Sequence, residues 1–200
     1  MARVGRAAIE AVARLGQFGQ FAAGAARALP ETATWGRLLI EQLARLGVAS
    51  IPIALFIAGF TGIVLALQAS YTFTGAIPLH FVGVLVEKTM ILELGPVLTG
   101  LALAGLAYDP MAYLVVPRVL AGVIMFPVVV AFANAMGIVG GWLTAINLLD
   151  LSTPEFVRGL RLFFRPFDVG YSLIKATSFG LAVTVVGCYH GYTTRGGAAA

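Results

Sequence analysis

Charged residues are scarce in this sequence, and their scarcity excludes a soluble globular fold. Aspartate, glutamate, lysine and arginine make up 11% of the 200 residues, whereas a soluble domain carries about a quarter. Hydrophobic residues make up 60%, and the mean hydropathy is +0.94. This composition predicts an integral membrane protein whose outer surface faces lipid.

The sequence also lacks the residues that several other classes of protein need. Cys188 is the single cysteine, which excludes a disulfide within the chain. His80 and His190 are far apart and lack metal-ligand spacing, so we expect no metal and no cofactor. No G-x-x-x-x-G-K-S/T motif is present, so we expect that the chain does not hydrolyse ATP and is not an enzyme.

Basic residues concentrate before the first apolar run and predict the orientation of the chain. The net charge is +4, and six of the thirteen basic residues are N-terminal arginines: Arg3, Arg6, Arg14, Arg27, Arg37 and Arg45. Positive residues are retained on the cytoplasmic side, so this charge indicates topology rather than a nucleic-acid partner. No continuous apolar stretch follows within residues 1–30, so we expect the first span to be the targeting signal.

The long apolar runs predict helices rather than the strands of a membrane barrel. Barrel strands alternate apolar and polar residues over about ten positions, whereas these runs are continuous. We therefore predict an all-α protein with about four transmembrane helices. The spans lie at 48–68, within 81–107, within 119–143 and at about 169–189.

The N-terminal part of the chain has the pattern of helices that lie on a membrane surface. Residues 1–28 place Val12, Leu15 and Phe18 on one face and polar residues opposite, as an interfacial amphipathic helix does. The alternative is a soluble helix packed on a partner. Residues 31–47 form a second amphipathic stretch, so we divide the chain into an interfacial segment, 1–47, and a transmembrane domain, 48–200.

A row of small residues on the first span predicts close helix packing. Ala54, Ala58, Gly62 and Ala66 recur every four positions and share one helix face. Small residues let two backbones approach closely, and we expect a homodimer whose packing surfaces are this row and the third or fourth span. The alternative is an ordinary alanine-rich helix that faces lipid.

Three charged residues in or beside the spans are candidates for a substrate path. Glu93 precedes an uncharged half-span, where a carboxylate is costly unless it is paired or hydrated. We predict that Glu93 faces the bundle interior or a dimer axis; the alternative is a salt bridge with Lys88 or an interfacial position. For both Lys88 and Lys175, one interpretation is a side chain that extends to the membrane interface. The other interpretation of Lys175 is that it attracts an anionic headgroup.

The polar connection at 150–168 contains a helix start and a basic trio. Ser152-Thr153-Pro154-Glu155 is typical of a helix N-terminus. Arg158, Arg161 and Arg165 contact either a partner protein or lipid phosphates, or form a solvated face.

Several strings, taken in order, closely resemble the MlaE/YrbE family of ABC-transporter permeases. They are ELGPVLT at 93–99, YLVVPRVLA at 113–121, KA at 175–176, FG at 179–180, CYHGY at 188–192 and RGGA at 195–198. The resemblance runs from about residue 35 to residue 198. It includes Gly95 and Pro96, which we assign to packing, and it supports Glu93 as part of a headgroup path.

The resemblance implies a multi-pass, homodimeric permease in a bacterial inner membrane, with an interfacial helix and normally five spans. It implies a cytoplasmic ABC ATPase, an MCE-domain substrate-binding protein and phospholipid as partners. The sequence departs from the family where Leu106-Ala107-Tyr108 joins flanks that the family separates by an ATPase-docking segment. The family also continues beyond the position of Ala200. The alternative function is therefore a membrane scaffold, or a remnant permease that is not coupled to an ATPase.

Overall fold

The computed structural model describes residues 2–28, 30, 32–73, 78–106 and 115–193, and all regular structure in these ranges is helical. The helices are α1 (Ala2–Ala28), α2 (Thr32–Leu43), α3 (Ile51–Thr72), α4 (Phe81–Thr89), α5 (Gly95–Leu106), α6 (Val115–Leu148), α7 (Thr153–Leu162) and α8 (Pro166–Thr193). Two π-helical turns, Ala44–Val48 and Met90–Leu94, join α2 to α3 and α4 to α5.

Helices long enough to cross a membrane confirm the predicted all-α membrane fold. Among the described residues, Trp35–Thr72, Val115–Leu148 and Pro166–Gly191 are long and apolar enough to be spans. The first exceeds its predicted length because α2 runs through the π turn into α3. The other predicted span, 81–107, folds as α4, the second π turn and α5, whose helices have 9 and 12 residues. A total of four spans therefore stays a prediction.

Contacts between the helices show their relative directions. α3 and α6 run in the same direction, and the consecutive segments of 81–106 run in the same direction as α8, opposite to the first pair. The contacting pairs that define these directions are Gly47–Met125, Gly62–Gly137, Lys88–Asp168, Leu92–Lys175, Gly122–Thr184 and Asn134–Ser172. The end of α3, the start of α4, the end of α6 and the start of α8 consequently lie at one end of the bundle.

The row of small residues on α3 packs within the chain. Ala54, Ala58, Gly62 and Ala66 are all buried. A Cβ atom on Gly62 would lie 1.8 Å from the carbonyl oxygen of Gly137, so α3 and α6 are in backbone contact there. Within the single chain the row is covered by α6, so the close backbone approach that it predicts is found between the first and third predicted spans. Homodimerisation stays a prediction.

The N-terminal helix α1 leaves most of its apolar face uncovered. Val12 and Leu15 are 68% and 71% exposed. Phe18 and Phe21 pack edge-on against the ring of Tyr189 on α8, with centroid distances of 5.3 and 5.7 Å. These rings join α1 to α8, and the interfacial position of α1 stays a prediction that the exposed face supports.

The predicted helix start in the polar connection is confirmed. Asp150 has a φ of 51°, a left-handed conformation that aspartate tolerates better than most residues. α7 then begins at Thr153, and Glu155 Oε2 accepts hydrogen bonds from the backbone N–H and the hydroxyl of Ser152 at 3.0 and 2.6 Å. This arrangement fixes the first turn of α7.

Candidate functional site

Polar side chains of α8 line the contact between α8 and its neighbours. Asp168, Ser172 and Lys175 follow one another at intervals of four and three residues, so they share one face of the helix. Each of them contacts a polar group of another element. We call these three residues, with Lys88 of α4 and Asn134 of α6, the polar seam.

At one end of the polar seam, Lys88 lies between two carboxylates. Its ammonium group donates a hydrogen bond to Asp168 Oδ2 and lies 3.9 Å from Glu87 Oε2. The Glu87 side chain is 3% exposed, and neither of its carboxylate oxygens accepts a hydrogen bond within the described structure. Lys88 therefore balances buried negative charge. Its ion-pair partners in the described structure are Asp168 and Glu87, rather than Glu93, the partner in the alternative interpretation of the sequence.

Further along the polar seam, Lys175 compensates for a proline in the opposite helix. In a regular helix the amide of residue 96 would donate to the carbonyl of Leu92, but Pro96 has no amide hydrogen. Lys175 Nζ donates to that Leu92 carbonyl at 2.9 Å. Leu92 lies in the second π turn, so the turn, the proline and the lysine form one arrangement that joins this segment to α8.

In the same region, α6 approaches the second π turn closely. Asn134 Nδ2 lies 3.4 Å from the hydroxyl of Ser172, as a donor to it. A Cβ atom on Gly95 would lie 1.7 Å from Asn134 Oδ1 and 2.7 Å from the carbonyl of Met90. Gly95 thus provides the space that Asn134 occupies. Pro96, the next residue, is fully buried.

Glu93 is separate from this seam. It lies in the second π turn with its side chain exposed on the surface of the single chain. The neighbouring Val97, one helical turn later, is also exposed. Glu93 is therefore not inside this chain's bundle, so the predicted dimer axis and the alternative of an interfacial position both stay open. The structure brings Lys88 and Lys175 to the same α8 face and leaves Glu93 outside it.

Sequence reasoning did not single out Asp168, Ser172 or Asn134. The interval pattern in α8 was a readable signal, because three polar residues on one face of an apolar helix require partners. The pairing itself was not readable, since Asn134 lies in a long uncharged run and its contact depends on how α6 crosses α8. No three His, Cys, Asp or Glu side chains come together as metal ligands in the part of the chain that the structure describes.

Comparison with known proteins relates this arrangement to one family of permeases. The sequence model of Permease MlaE matches residues 39–107 and 102–200. A probable ABC transporter permease protein of Rickettsia prowazekii is 32% identical over 98% of this chain and 85% of its own length. The intermembrane phospholipid transport system permease protein MlaE of Haemophilus influenzae is 29% identical over 94% of this chain and 82% of its own.

A more distant relative is the chloroplastic protein trigalactosyldiacylglycerol 1 of Arabidopsis thaliana. It is 26% identical over 81% of this chain and 53% of its own length.

The matches also indicate where this chain is shorter than its relatives. The alignment with the Rickettsia prowazekii protein extends over 219 residues, more than the 200 of this chain, so that relative has residues without a counterpart here. The two family matches overlap at residues 102–107, next to the predicted junction at Leu106-Ala107-Tyr108. Ala107, Tyr108 and the RGGA string at 195–198 lie outside the described residues. Because the family matches together extend from residue 39 to residue 200, the chain belongs to the MlaE permease family.

Proposed function

We propose that this chain is the membrane permease subunit of an ABC-type transporter that moves phospholipid between membranes. The similarity to the Haemophilus influenzae permease over 94% of the chain carries the proposal. In this account, two copies form a homodimer in a bacterial inner membrane. A cytoplasmic ATPase supplies the energy, and an MCE-domain protein exchanges lipid with the dimer.

The polar seam supports a role in which helices must hold a defined arrangement around a lipid path. Ion pairs, and a lysine that donates a hydrogen bond to a backbone carbonyl, are costly to place inside a membrane. Such residues are generally functional. The two π turns interrupt helices next to this region, and such turns occur frequently at functional sites. Glu93 presents a carboxylate on the outer surface of the same turn, where a second copy would complete a path for headgroups.

Affinity purification from native membranes tests the proposed assembly. A tagged full-length chain is solubilised in mild detergent, and the proteins that co-elute are identified by mass spectrometry. The proposal expects an ABC ATPase and an MCE-domain protein in stoichiometric amounts, with two copies of the permease per complex. A chain that elutes without an ATPase would contradict the proposal and favour the scaffold or remnant function.

A further inference from the structure

The short helix α7 exposes a basic face at the end of the bundle. Its other face is buried: Phe156 is fully covered, and a Cβ atom on Gly159 would lie 1.9 Å from the carbonyl of His80. Arg158 and Arg161 lie three residues apart on the outward face, and both are exposed. α7 is thus fixed to α4 by one side and open on the other.

The positive charges of this face are not neutralised within the described structure. Among the residues that the structure describes, no carboxylate lies within ion-pair distance of Arg158, Arg161 or Arg165. The nearby acids are otherwise engaged, because Glu155 binds Ser152 and Asp168 binds Lys88. The remaining acid of the connection, Asp150, forms no ion pair with the arginines. Three guanidinium groups are therefore free to bind an anion, and guanidinium matches the geometry of phosphate.

Apolar surface adjoins these charges. A shallow groove of about 520 Å³ is lined by Pro154, Val157, Arg158, Arg161 and Leu162. The residues that follow α7 expose large apolar side chains. Phe163, Phe164 and Phe167 are 51%, 47% and 76% exposed. We call the three arginines with these three phenylalanines the Arg–Phe patch.

The position of α7 places the Arg–Phe patch at a membrane surface. Residues 149–152 connect α7 to the end of α6, and residues 163–165 connect it to the start of α8. Both α6 and α8 are long and apolar enough to span the membrane. Such short links keep α7 at the ends of these two helices, where phenylalanine can enter the acyl boundary and arginine can reach headgroups.

We propose that the Arg–Phe patch binds the phosphate groups of anionic phospholipids in the leaflet at this end of the bundle. The three guanidinium groups contact the phosphates, and the phenylalanines hold the acyl chains beside Leu162. The combination of charge and exposed aromatic rings favours lipid over a soluble anion, which would gain nothing from the rings. This inference does not depend on transport, because an anchoring site binds lipid whether or not lipid moves through the protein.

A native tryptophan next to α7 allows a direct test. Trp142 Nε1 lies 3.3 Å from the hydroxyl of Thr153, the first residue of α7. The only other tryptophan is Trp35, so Trp35→Phe leaves Trp142 as the sole donor in the full-length chain. This protein is reconstituted into phosphatidylcholine vesicles that contain, at equal mole fraction, dansyl-acyl phosphatidylglycerol or dansyl-acyl phosphatidylcholine. Energy transfer from Trp142 then reports which lipid gathers around α7.

We expect stronger transfer to phosphatidylglycerol than to phosphatidylcholine, and loss of this preference in Arg158→Gln/Arg161→Gln/Arg165→Gln. Each arginine near an anionic lipid should raise its local binding roughly fivefold. The matched control, Arg14→Gln/Arg27→Gln/Arg37→Gln, removes the same charge from the N-terminal region and should keep the preference. The variant Arg158→Lys/Arg161→Lys/Arg165→Lys should keep most of the preference, since the charge remains.

Other outcomes would overturn the proposal. Equal energy transfer to both lipids would show that the Arg–Phe patch does not select anionic phospholipid, and would favour a protein partner instead. Displacement of labelled phosphatidylglycerol by inorganic phosphate would show that a free anion is the occupant. Equal loss in the control triple variant would show a general charge effect. Circular dichroism checks that the variants remain helical; if the triple glutamine variant unfolds, Arg158→Gln and Arg161→Gln are tested singly, and an unchanged preference in both would refute the proposal.

Discussion

The contact between α3 and α6 predicts opposite effects for alanine at two glycines of the same helix. Gly62→Ala adds a Cβ atom that would lie 1.8 Å from the carbonyl oxygen and 2.6 Å from the carbonyl carbon of Gly137. Both are backbone atoms, so the clash cannot be relieved by rotating a side chain. At Gly59, one turn earlier, the nearest atom is the terminal methyl carbon of Met136 at 3.4 Å, which is an ordinary and flexible contact.

The cost at Gly62 follows from how far α6 must move. The two helices have to separate until the new contact reaches 3.4 Å or more, and the buried Ala58 and Ala66 lose contacts on either side. Overpacking costs about 1–3 kcal/mol, and a clash with backbone belongs at the upper end of that range. Gly59→Ala instead gains up to about 1 kcal/mol of helix propensity.

Thermal stability in detergent measures the difference. The midpoint for loss of the monodisperse peak in size-exclusion chromatography should fall by roughly 5–10 °C for Gly62→Ala, at about 2–4 °C per kcal/mol for a chain of this size. Gly59→Ala should match or exceed the unsubstituted protein. Equal midpoints for the two variants would refute the backbone contact between Gly62 and Gly137. A lower midpoint for Gly59→Ala alone would place the close contact at Gly59 instead.

Three further changes test the polar seam and the α7 start by the same stability measurement. Lys88→Met leaves the carboxylates of Glu87 and Asp168 without their counter-ion and should lower the stability by about 3–5 kcal/mol. The double variant Lys88→Met/Asp168→Leu should recover part of this stability. Unchanged stability of Lys88→Met would contradict the ion pair. Lys175→Met should cost about 1–3 kcal/mol because the Leu92 carbonyl loses its lysine donor. The same substitution should cost little in a Pro96→Ala background, where residue 96 regains an amide hydrogen. Equal costs in both backgrounds would show that Lys175 does not compensate for the proline. The Ser152 hydroxyl, and then its backbone N–H, lower the pKa of Glu155 below its ordinary 4.5. The stability that Glu155→Gln removes should therefore be present above pH 4.5 and be lost as the pH falls through the lowered pKa. A stability difference between the two proteins that persists in stronger acid would contradict this prediction.

The sequence predicted helices, spans and helix starts well because these depend on local patterns. The long apolar runs marked α3, α6 and α8, and Ser152 with Glu155 marked the start of α7. Partner choice was harder to predict. The row from Ala54 to Ala66 indicates that a backbone approaches, but the same row suits α6 or a second chain equally.

The candidate site shows the same limit. Pro96 indicates that the carbonyl of Leu92 lacks its usual donor, yet which side chain replaces that donor depends on the placement of α8. Lys88 could be assigned to Glu93 from sequence because they are close along the chain. Its actual partner Asp168 is distant in sequence and becomes a neighbour only because 81–106 and α8 run side by side.

We propose that this member of the MlaE permease family moves phospholipid, and lipid transfer by the purified complex tests this function most directly. The chain is reconstituted with the ATPase and MCE-domain protein that co-purify with it, and ATP-dependent transfer of a labelled phospholipid is measured at matched expression. We predict transfer by the unsubstituted complex, and a several-fold greater loss for Glu93→Arg than for the apolar control Leu98→Ala. Absence of ATP-dependent transfer by the unsubstituted complex would contradict the function, and an unchanged rate for Glu93→Arg would contradict the role of Glu93.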